Sequence, residues 1–328
     1  MLEQLISLTV LCFLFSLLLT RVFSSRVRSR RLIGVDVHKP HRPLVPKIGG
    51  VAMLISYSVC VLTLFIWGGG SQRLWILLFS PLIASLIGLL EDVREMNPIL
   101  KPLLLLTPAL PILLFSDYSP YPQLPLVGTV RLTIIYPILI LAAFTVIINA
   151  INSVDVLNGS LAVSSIPVLV VLTVLSWMRG EALNAVAASI AAASVLGFLR
   201  FNWCPARIFA GNSGSNFVGA VITSIAITSR LELATLVALL PHILNEYFIL
   251  VSIGGLRSGK TFATRPITVV RGLIAASRDP RGPLTLVRLA TSSSPMNEAE
   301  VSKALGLLAA YSSFLAFVTY LLGGGRST

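Results

Sequence analysis

The stretch "NAINSVDVLNGS", residues 149–160, decides how the chain folds, because it places three Asn and one Asp between two long apolar runs. These runs, 132–151 and 160–177, are each long enough to cross a bilayer, which takes roughly 17–25 apolar residues. Amide and carboxylate groups are costly to bury in hydrocarbon unless they have partners. The stretch therefore predicts a polar turn between two membrane helices.

The composition of the whole chain indicates a membrane protein. Of 328 residues, 55% are hydrophobic and 12% are charged, whereas soluble domains carry about 25% charged residues. Apolar runs recur throughout, so we predict an all-α polytopic membrane protein with one transmembrane domain over residues 1–328. The first apolar run has no basic segment before it, which favours a retained span over a cleaved signal peptide.

Ten apolar runs are candidate transmembrane helices. They cover residues 2–20, 48–67, 74–90, 99–116, 132–151, 160–177, 182–199, 216–229, 231–253 and 304–322. With ten spans, 20 of the 25 Lys and Arg fall in one set of alternate connections: 21–47, 91–101, 200–215 and 254–303. Cytoplasmic connections carry an excess of Lys and Arg. This set is therefore predicted to be cytoplasmic, with both termini extracytoplasmic and a long cytoplasmic loop at 254–303.

The net charge of +12 does not predict nucleic-acid binding, because the basic residues lie in the connections between spans. A bilayer surface or an anionic substrate fits this distribution better. The three cysteines show neither metal-ligand nor disulfide spacing, so they indicate no particular chemistry.

Polar clusters recur on the predicted cytoplasmic side. Glu91 and Asp92 are adjacent between the third and fourth spans. They could coordinate a hard cation, supply a base, or form a solvated loop acid pair. Asn152, Asp155 and Asn158 are spaced i, i+3, i+6 and would share one face of a helix. They could offer oxygen ligands to Mg²⁺ or form a polar network between helices.

A Gly-rich stretch, "GNSGSN" at 211–216, precedes the eighth predicted span. Such a turn can present backbone N–H groups to a phosphate, or it can simply allow close packing. Lys47, Lys101, Arg265 and Arg271 could neutralise a diphosphate, although each basic residue alone is also a topology signal. Together, these groups are what a Mg²⁺-dependent phosphoryl transfer at a membrane surface needs.

Four motifs in this order resemble those of the polyprenyl-phosphate N-acetylhexosamine-1-phosphate transferases. That family includes dolichyl-phosphate GlcNAc-phosphotransferases and phospho-MurNAc-pentapeptide translocases. The motifs are "KPHRPLVPKIGG" (39–50), "GLLEDVREMNPILK" (88–101), "NAINSVDVLNG" (149–159) and "FAGNSGSNFVG" (209–219). The segment that begins at Arg265 is more similar to archaeal members of the dolichyl-phosphate branch.

The resemblance implies a reaction in the cell membrane, with a multi-pass protein whose active site faces the cytoplasm. A UDP-sugar of the GlcNAc type would give its sugar-1-phosphate to a dolichyl-type polyprenyl phosphate, and UMP would leave. This is the first membrane step of glycan assembly. The family uses Mg²⁺, with Mn²⁺ as a substitute. Apart from the resemblance, the outer segment 117–131 could support a homodimer.

The resemblance also implies roles for individual residues. By motif position, Asp92 is the base or essential acid, and Glu91 and Asp155 are further catalytic acids. We expect Asp92, as a loop acid, to contribute little to folding. Asn152, Asn212 and Asp155 would surround Mg²⁺. The residues expected to bind substrate are Lys39, Lys47, Lys101, Asn149, Asn158 (at the uracil), Arg265 and Arg271.

Three positions depart from the family pattern. Glu91 stands where the family usually has Asp, Val156 stands where it has Gly, and Asn212 stands where it has a metal-binding Asp. A neutral carbonyl at 212 would weaken Mg²⁺ binding unless Asp155 supplies the charge. One alternative is therefore a member that binds UDP-sugar or lipid without catalysis. Another is a secondary transporter, which would place its polar groups near mid-span.

Overall fold

The computed structural model describes residues 2–27, 29–39, 41–68, 70–94, 96–124, 128–255 and 264–323. Most of these residues form α-helices, joined by short connections. In chain order the helices are α1 (Leu2–Arg26), α2 (Gly49–Gly68), α3 (Gln72–Val93), α4 (Leu100–Leu104), α5 (Leu110–Phe115), α6 (Tyr136–Val154), α7 (Ser160–Met178), α8 (Ala182–Asn202), α9 (Gly211–Thr228), α10 (Glu232–Ala238), α11 (Leu240–Ile253), α12 (Leu286–Ala290) and α13 (Glu298–Leu322).

Seven helices in the described ranges are long and apolar enough to cross a bilayer: α1, α2, α3, α6, α7, α8 and α13. An eighth span results if α10 and α11, which meet at a 67° bend, cross together. The predicted span 99–116 is divided into α4, a 3₁₀ turn and α5, since Pro108 and Pro111 interrupt helical hydrogen bonding. The chain is thus a helical, polytopic membrane protein, and the number of ten spans stays a prediction.

The described residues also form three short antiparallel hairpins in the connections between the helices. Strand β1 (Ile33–Val35) pairs with β2 (Leu44–Pro46), β3 (Gln123–Leu124) with β4 (Gly128–Thr129), and β5 (Ile267–Val270) with β6 (Leu273–Ala276). All three lie in connections, so the long apolar segments remain helical. Within the predicted loop at 254–303, residues 264–303 contain β5, β6, α12 and the start of α13, whereas residues 256–263 lie outside the described residues.

Helix α9 lies at the centre of the bundle and packs against α2, α3 and α6. Every residue from Ser213 to Thr228 is buried. Close approach of α3 to the start of α9 depends on Gly88, where an added Cβ would lie 2.3 Å from the carbonyl oxygen of Asn212. Small residues allow helix backbones to approach in this way, so the packing fixes Asn212 against α3.

The two ends of the bundle carry different polar groups. At one end, the starts of α2, α9 and α13 meet the ends of α3, α6 and α8. At the other end, Arg73 pairs with both oxygens of Asp117, at 2.6 and 2.9 Å, and also with Glu181. The second predicted motif reaches the first end because α3 continues to Val93. All four motifs are thus collected at one end of the bundle.

Candidate functional site

Backbone hydrogen bonds join the first and fourth motifs. The N–H of Phe209 donates to the carbonyl of Pro46 at 2.8 Å, and the N–H groups of Gly49 and Gly50 donate to the carbonyls of Phe209 and Ala210, both at 2.9 Å. These bonds place the segment before α2 beside the segment before α9. They bring two motifs together that are far apart in the chain.

Asp92 lies in the last turn of α3 and caps the start of α9. Its Oδ1 accepts hydrogen bonds from the backbone N–H and the Nδ2 of Asn212, at 3.1 and 3.2 Å, and its Oδ2 accepts one from the N–H of Ser213 at 3.1 Å. The side chain is 7% exposed. Free N–H groups at a helix start favour a negative charge. The interpretation of Asp92 as a solvated loop acid is therefore wrong.

Gly211 of the fourth motif allows Asp92 to approach the start of α9. Gly211 has a φ of +71°, a conformation that side chains rarely adopt. An added Cβ would also lie 2.5 Å from Oδ2 of Asp92. The N–H groups of Asn212 and Ser213 are already bound by Asp92. They are therefore not free to bind a phosphate, and of the two alternatives for the Gly-rich turn, close packing fits this contact.

Asn152 and Asn212 bind each other. Nδ2 of Asn152 donates to Oδ1 of Asn212 at 3.0 Å, while Nδ2 of Asn212 donates to Asp92. Hydrogen bonds thus connect the three side chains in sequence, from Asn152 on α6 through Asn212 on α9 to Asp92 on α3. A carboxylate at position 212 would instead face Asp92 with a second negative charge, so the amide stabilises this contact without a cation.

Asp155 follows α6 directly and has a carboxylate without a hydrogen-bond partner among the described residues. Burial and, to a smaller extent, the nearby charge on Asp92 together raise the pKa of Asp155 to about 7. A carboxylate in this state gains from a nearby cation, because the cation would favour the ionised form. Asp155 is therefore the acid best suited to ligate a metal here.

These groups surround a cavity of about 280 Å³ at the motif end of the bundle. The polar residues that line it are Asp36, His38, Lys47, Asp92, Asn152, Asp155, Asn158, Asn202 and Asn212. Among the described residues that line it, Lys47 is the only Lys or Arg, and its Nζ lies 3.5 Å from the carbonyl oxygen of Asp92. The cavity thus combines several acids and amides with one basic side chain.

Some predicted site residues bind elsewhere. Nζ of Lys101 lies 2.9 Å from Oε2 of Glu91, so the expected phosphate ligand pairs with an expected catalytic acid. Nδ2 of Asn149 donates to the carbonyl of Thr145 in its own helix, at 2.8 Å. None of the three predicted residues is among those that line the cavity.

The two predicted arginines differ in position. Arg265 lines a second cavity of about 300 Å³, which shares Val37, His38 and Val156 with the first. Arg271 has a φ of 53° at the turn between β5 and β6 and is exposed to solvent. Of the two, Arg265 alone lies next to the candidate site.

Asn158 and Lys39 contact Glu298, a residue that lies outside the four motifs and was not predicted to belong to the site. The Asn158 side chain, 3% exposed, donates from Nδ2 to Asp36 at 2.9 Å and to Glu298 at 3.3 Å. Nζ of Lys39 donates to Glu298 and, at 3.0 Å, to Sγ of Cys204. Burial acts to lower the pKa of Lys39, but these hydrogen bonds outweigh it and raise the pKa.

A sequence signal for Glu298 was present. Asn297 and Glu300 form a capping box at the start of α13, and Asn followed three residues later by Glu before an apolar run is a mark of a helix start. This mark would have placed Glu298 at the membrane interface. Asp36 precedes the first motif and has no comparable signal.

The residues present fit Mg²⁺ better than a transition metal. In the described part of the chain, Asp36, His38 and Glu298 have ligand atoms within 4.8 Å of one another, but Glu298 is already paired with the Lys39 ammonium. Asp155, Asn152 and Asn212 offer carboxylate and carbonyl oxygens, which Mg²⁺ prefers. Asp155 supplies the only carboxylate of these three residues, and that carboxylate has no hydrogen-bond partner among the described residues.

Residues 74–230 match the glycosyl transferase family 4. A protein of Sulfolobus acidocaldarius, named as a UDP-N-acetylglucosamine–dolichyl-phosphate N-acetylglucosaminephosphotransferase, is 30% identical over 241 residues, 71% of this chain and 74% of the relative. A protein of the same name from Saccharolobus solfataricus is 28% identical, over 73% of this chain and 76% of its own. A phospho-N-acetylmuramoyl-pentapeptide-transferase of Vesicomyosocius okutanii is 31% identical, over 66% and 70%. The range that matches the family, residues 74–230, includes Asp92, Asn152, Asp155 and Asn212.

Proposed function

The chain belongs to glycosyl transferase family 4, and from this premise we propose that it transfers GlcNAc-1-phosphate from UDP-GlcNAc to a dolichyl-type polyprenyl phosphate. An oxygen of the acceptor phosphate forms a bond to the phosphorus that carries the sugar. The bond from that phosphorus to the oxygen of UMP breaks, and UMP leaves. The names of the relatives from Sulfolobus acidocaldarius and Saccharolobus solfataricus contain this donor and this acceptor, which supports the proposal.

The observation that carries the proposal is the convergence of motifs on one cavity. Lys47 of the first motif, Asp92 of the second, Asp155 of the third and Asn212 of the fourth all line it. A transporter would need polar groups along a path through the bundle, whereas these groups gather at one end. Phosphoryl transfer depends mainly on positioning and on charge compensation, and the cavity offers both acids for a cation and a cation for phosphate.

Mg²⁺, or Mn²⁺ in its place, would be held by Asp155, Asn152 and Asn212. When bound, the ion would offset charge on the phosphates. Lys47 binds the diphosphate from the side of Asp92. Asp92 keeps Asn212 in place through the start of α9 and supplies negative charge beside the cavity. Arg265 reaches the sugar end of the donor from the neighbouring cavity.

We also propose that the cavity faces the cytoplasm of a cell-membrane protein whose termini both lie outside, with ten spans in one domain. The excess of Lys and Arg in the connections at this end supports this orientation. Helix α1 leads into the connection before Asp36, and α13 begins at Glu298. Both helices therefore start or end beside the cavity, and their other ends point away from it.

Radiolabelled UMP exchange into UDP-GlcNAc tests the proposed function. Purified protein in vesicles that contain polyprenyl phosphate and Mg²⁺ should incorporate label and form a lipid-linked GlcNAc diphosphate. Asp155→Asn should abolish exchange, and Asp279→Asn, a surface change at the Arg281 pair, should not. UDP-GlcNAc binding without exchange would show a catalytically inactive member, and uptake of UDP-GlcNAc into the vesicles would show a transporter.

A further inference from the structure

Glu298 binds two of the motifs that form the cavity. Its Oε1 accepts a hydrogen bond from the backbone N–H of Asn158 at 2.9 Å. Its Oε2 accepts hydrogen bonds from Nδ2 of Asn158, Nζ of Lys39 and Sγ of Cys204. The residue is 4% exposed. A carboxylate buried to this extent needs several donors, and here they come from three separate segments of the chain.

Helix α13 holds residue 158 at several atoms. Besides the two bonds from Glu298, Oγ of Ser302 donates to the carbonyl oxygen of Asn158 at 2.9 Å. The next residue, Gly159, donates its N–H to Oδ1 of Asn202 at 3.0 Å. The turn at 155–159 is thus held at its C-terminal side, while its N-terminal side carries the unpaired carboxylate of Asp155.

Glu298 is not needed to cap its own helix. The side chain of Asn297 accepts the N–H of Glu300, and the side chain of Glu300 accepts the N–H of Asn297. This capping box already satisfies the start of α13. The contacts of Glu298 are therefore directed to the turn at 155–159 and to Lys39.

We propose that Glu298 is a positioning residue for the donor site, which holds the turn at 155–159 and the first motif in the arrangement that receives the nucleotide sugar. The proposal rests on the proposed function, since it assigns the turn to UDP-sugar binding. Glu298 itself does not line the cavity. It acts through Asn158 and Lys39, and its effect falls on donor binding rather than on the reacting phosphates.

Three variants of the full-length protein test this assignment: Glu298→Ala, Glu298→Gln and, as the matched control, Glu300→Ala. Glu298→Ala should raise the KM for UDP-GlcNAc about ten-fold, the loss expected for a hydrogen bond to a charged group, with kcat within about three-fold. Glu298→Gln keeps an acceptor for the Asn158 N–H and should recover most of that loss. Glu300→Ala should leave KM unchanged, although it disturbs the same helix start.

Amide hydrogen exchange of the wild type and the variants gives a readout that does not need turnover. Exchange in a peptide that covers residues 157–160 should be faster in Glu298→Ala and unchanged in Glu300→Ala. Unchanged KM and unchanged exchange in folded Glu298→Ala would overturn the proposal. An equal loss of kcat in all three variants would show a general stability effect and would also overturn it. Absence of turnover in the wild type would refute the proposed function, while the exchange result would still decide the positioning role.

Discussion

Oδ1 of Asp92 lies 3.2 Å from Nδ2 of Asn212, so the acid of the second motif and the amide of the fourth motif bind each other directly. This contact joins α3 to the start of α9. It also gives Asp92 two functions, because the same carboxylate caps a helix and lines the cavity. Substitutions at these two positions therefore affect both stability and chemistry.

Asp92→Asn should destabilise the protein as well as stop turnover. The variant loses the negative charge at the start of α9 and turns an amide N–H₂ toward N–H donors, which should lower the free energy of unfolding by about 2 kcal/mol. Thermal unfolding in detergent checks this, with Asp279→Asn as a surface control. Equal melting temperatures for Asp92→Asn and the wild type would return Asp92 to the role of a loop acid.

Glu91 and Lys101 should behave as a pair. Glu91→Gln and Lys101→Met should each lower the melting temperature. The double variant should melt no lower than the less stable of the two single variants. The coupling should be about 0.5–3 kcal/mol, as for neighbours in one ion pair. The KM for UDP-GlcNAc should rise more in Lys47→Met than in Lys101→Met. Additive effects on stability, together with a large KM effect at Lys101, would instead place Lys101 at the diphosphate.

Cysteine labelling should distinguish the two ends of the bundle. The labelling is done in a Cys204→Ser background with a membrane-impermeant maleimide. Val156→Cys should be modified only from the cytoplasmic side, because Val156 is 48% exposed. UDP should protect this position from the reagent, because Val156 lines the cavity. Asn158→Cys should resist labelling, since Asn158 is 3% exposed. Arg131→Cys should react only from outside. Labelling of position 156 from outside would reverse the proposed topology.

The membrane fold and the position of the site follow from local features of the sequence. Apolar runs locate the long helices, because a span needs little more than length and hydrophobicity. The order of the motifs predicts that Asp92, Asn152, Asp155 and Asn212 meet, and all four line one cavity. The boundary of the third span did not follow from the apolar run, which ends at residue 90: α3 continues to Val93, so Asp92 lies in a helix rather than in a loop.

The partners of individual side chains did not follow from the sequence. Glu298 binds Asn158 across 140 residues of chain, and nothing local distinguishes that carboxylate from another acid at a helix start. Lys101 has the spacing of a phosphate ligand, but it pairs with an acid ten residues before it. Charge alone cannot tell these outcomes apart, because burial and geometry choose among the available partners.

Asn212→Asp tests the metal site most directly. The new carboxylate would lie beside Asp92, where Asn212 now donates a hydrogen bond, while Asn152 could still donate to it. Two adjacent carboxylates repel unless a cation lies between them or one takes up a proton. Without Mg²⁺ the variant should therefore melt at a lower temperature than the wild type. Added Mg²⁺ should raise its melting temperature more than that of the wild type.

The same variant should need less Mg²⁺ for half-maximal rate, by about ten-fold or more, since one added charge close to a cation contributes several kcal/mol even at an effective dielectric constant near 20. Asn149→Asp is the matched control, because Asn149 lies on the same helix as Asn152 but bonds Thr145 and does not line the cavity. It should leave the Mg²⁺ dependence unchanged. If folded, active Asn212→Asp also shows an unchanged Mg²⁺ dependence of rate and melting, position 212 does not contact the metal. The fourth motif would then serve only to pack α9 against α3.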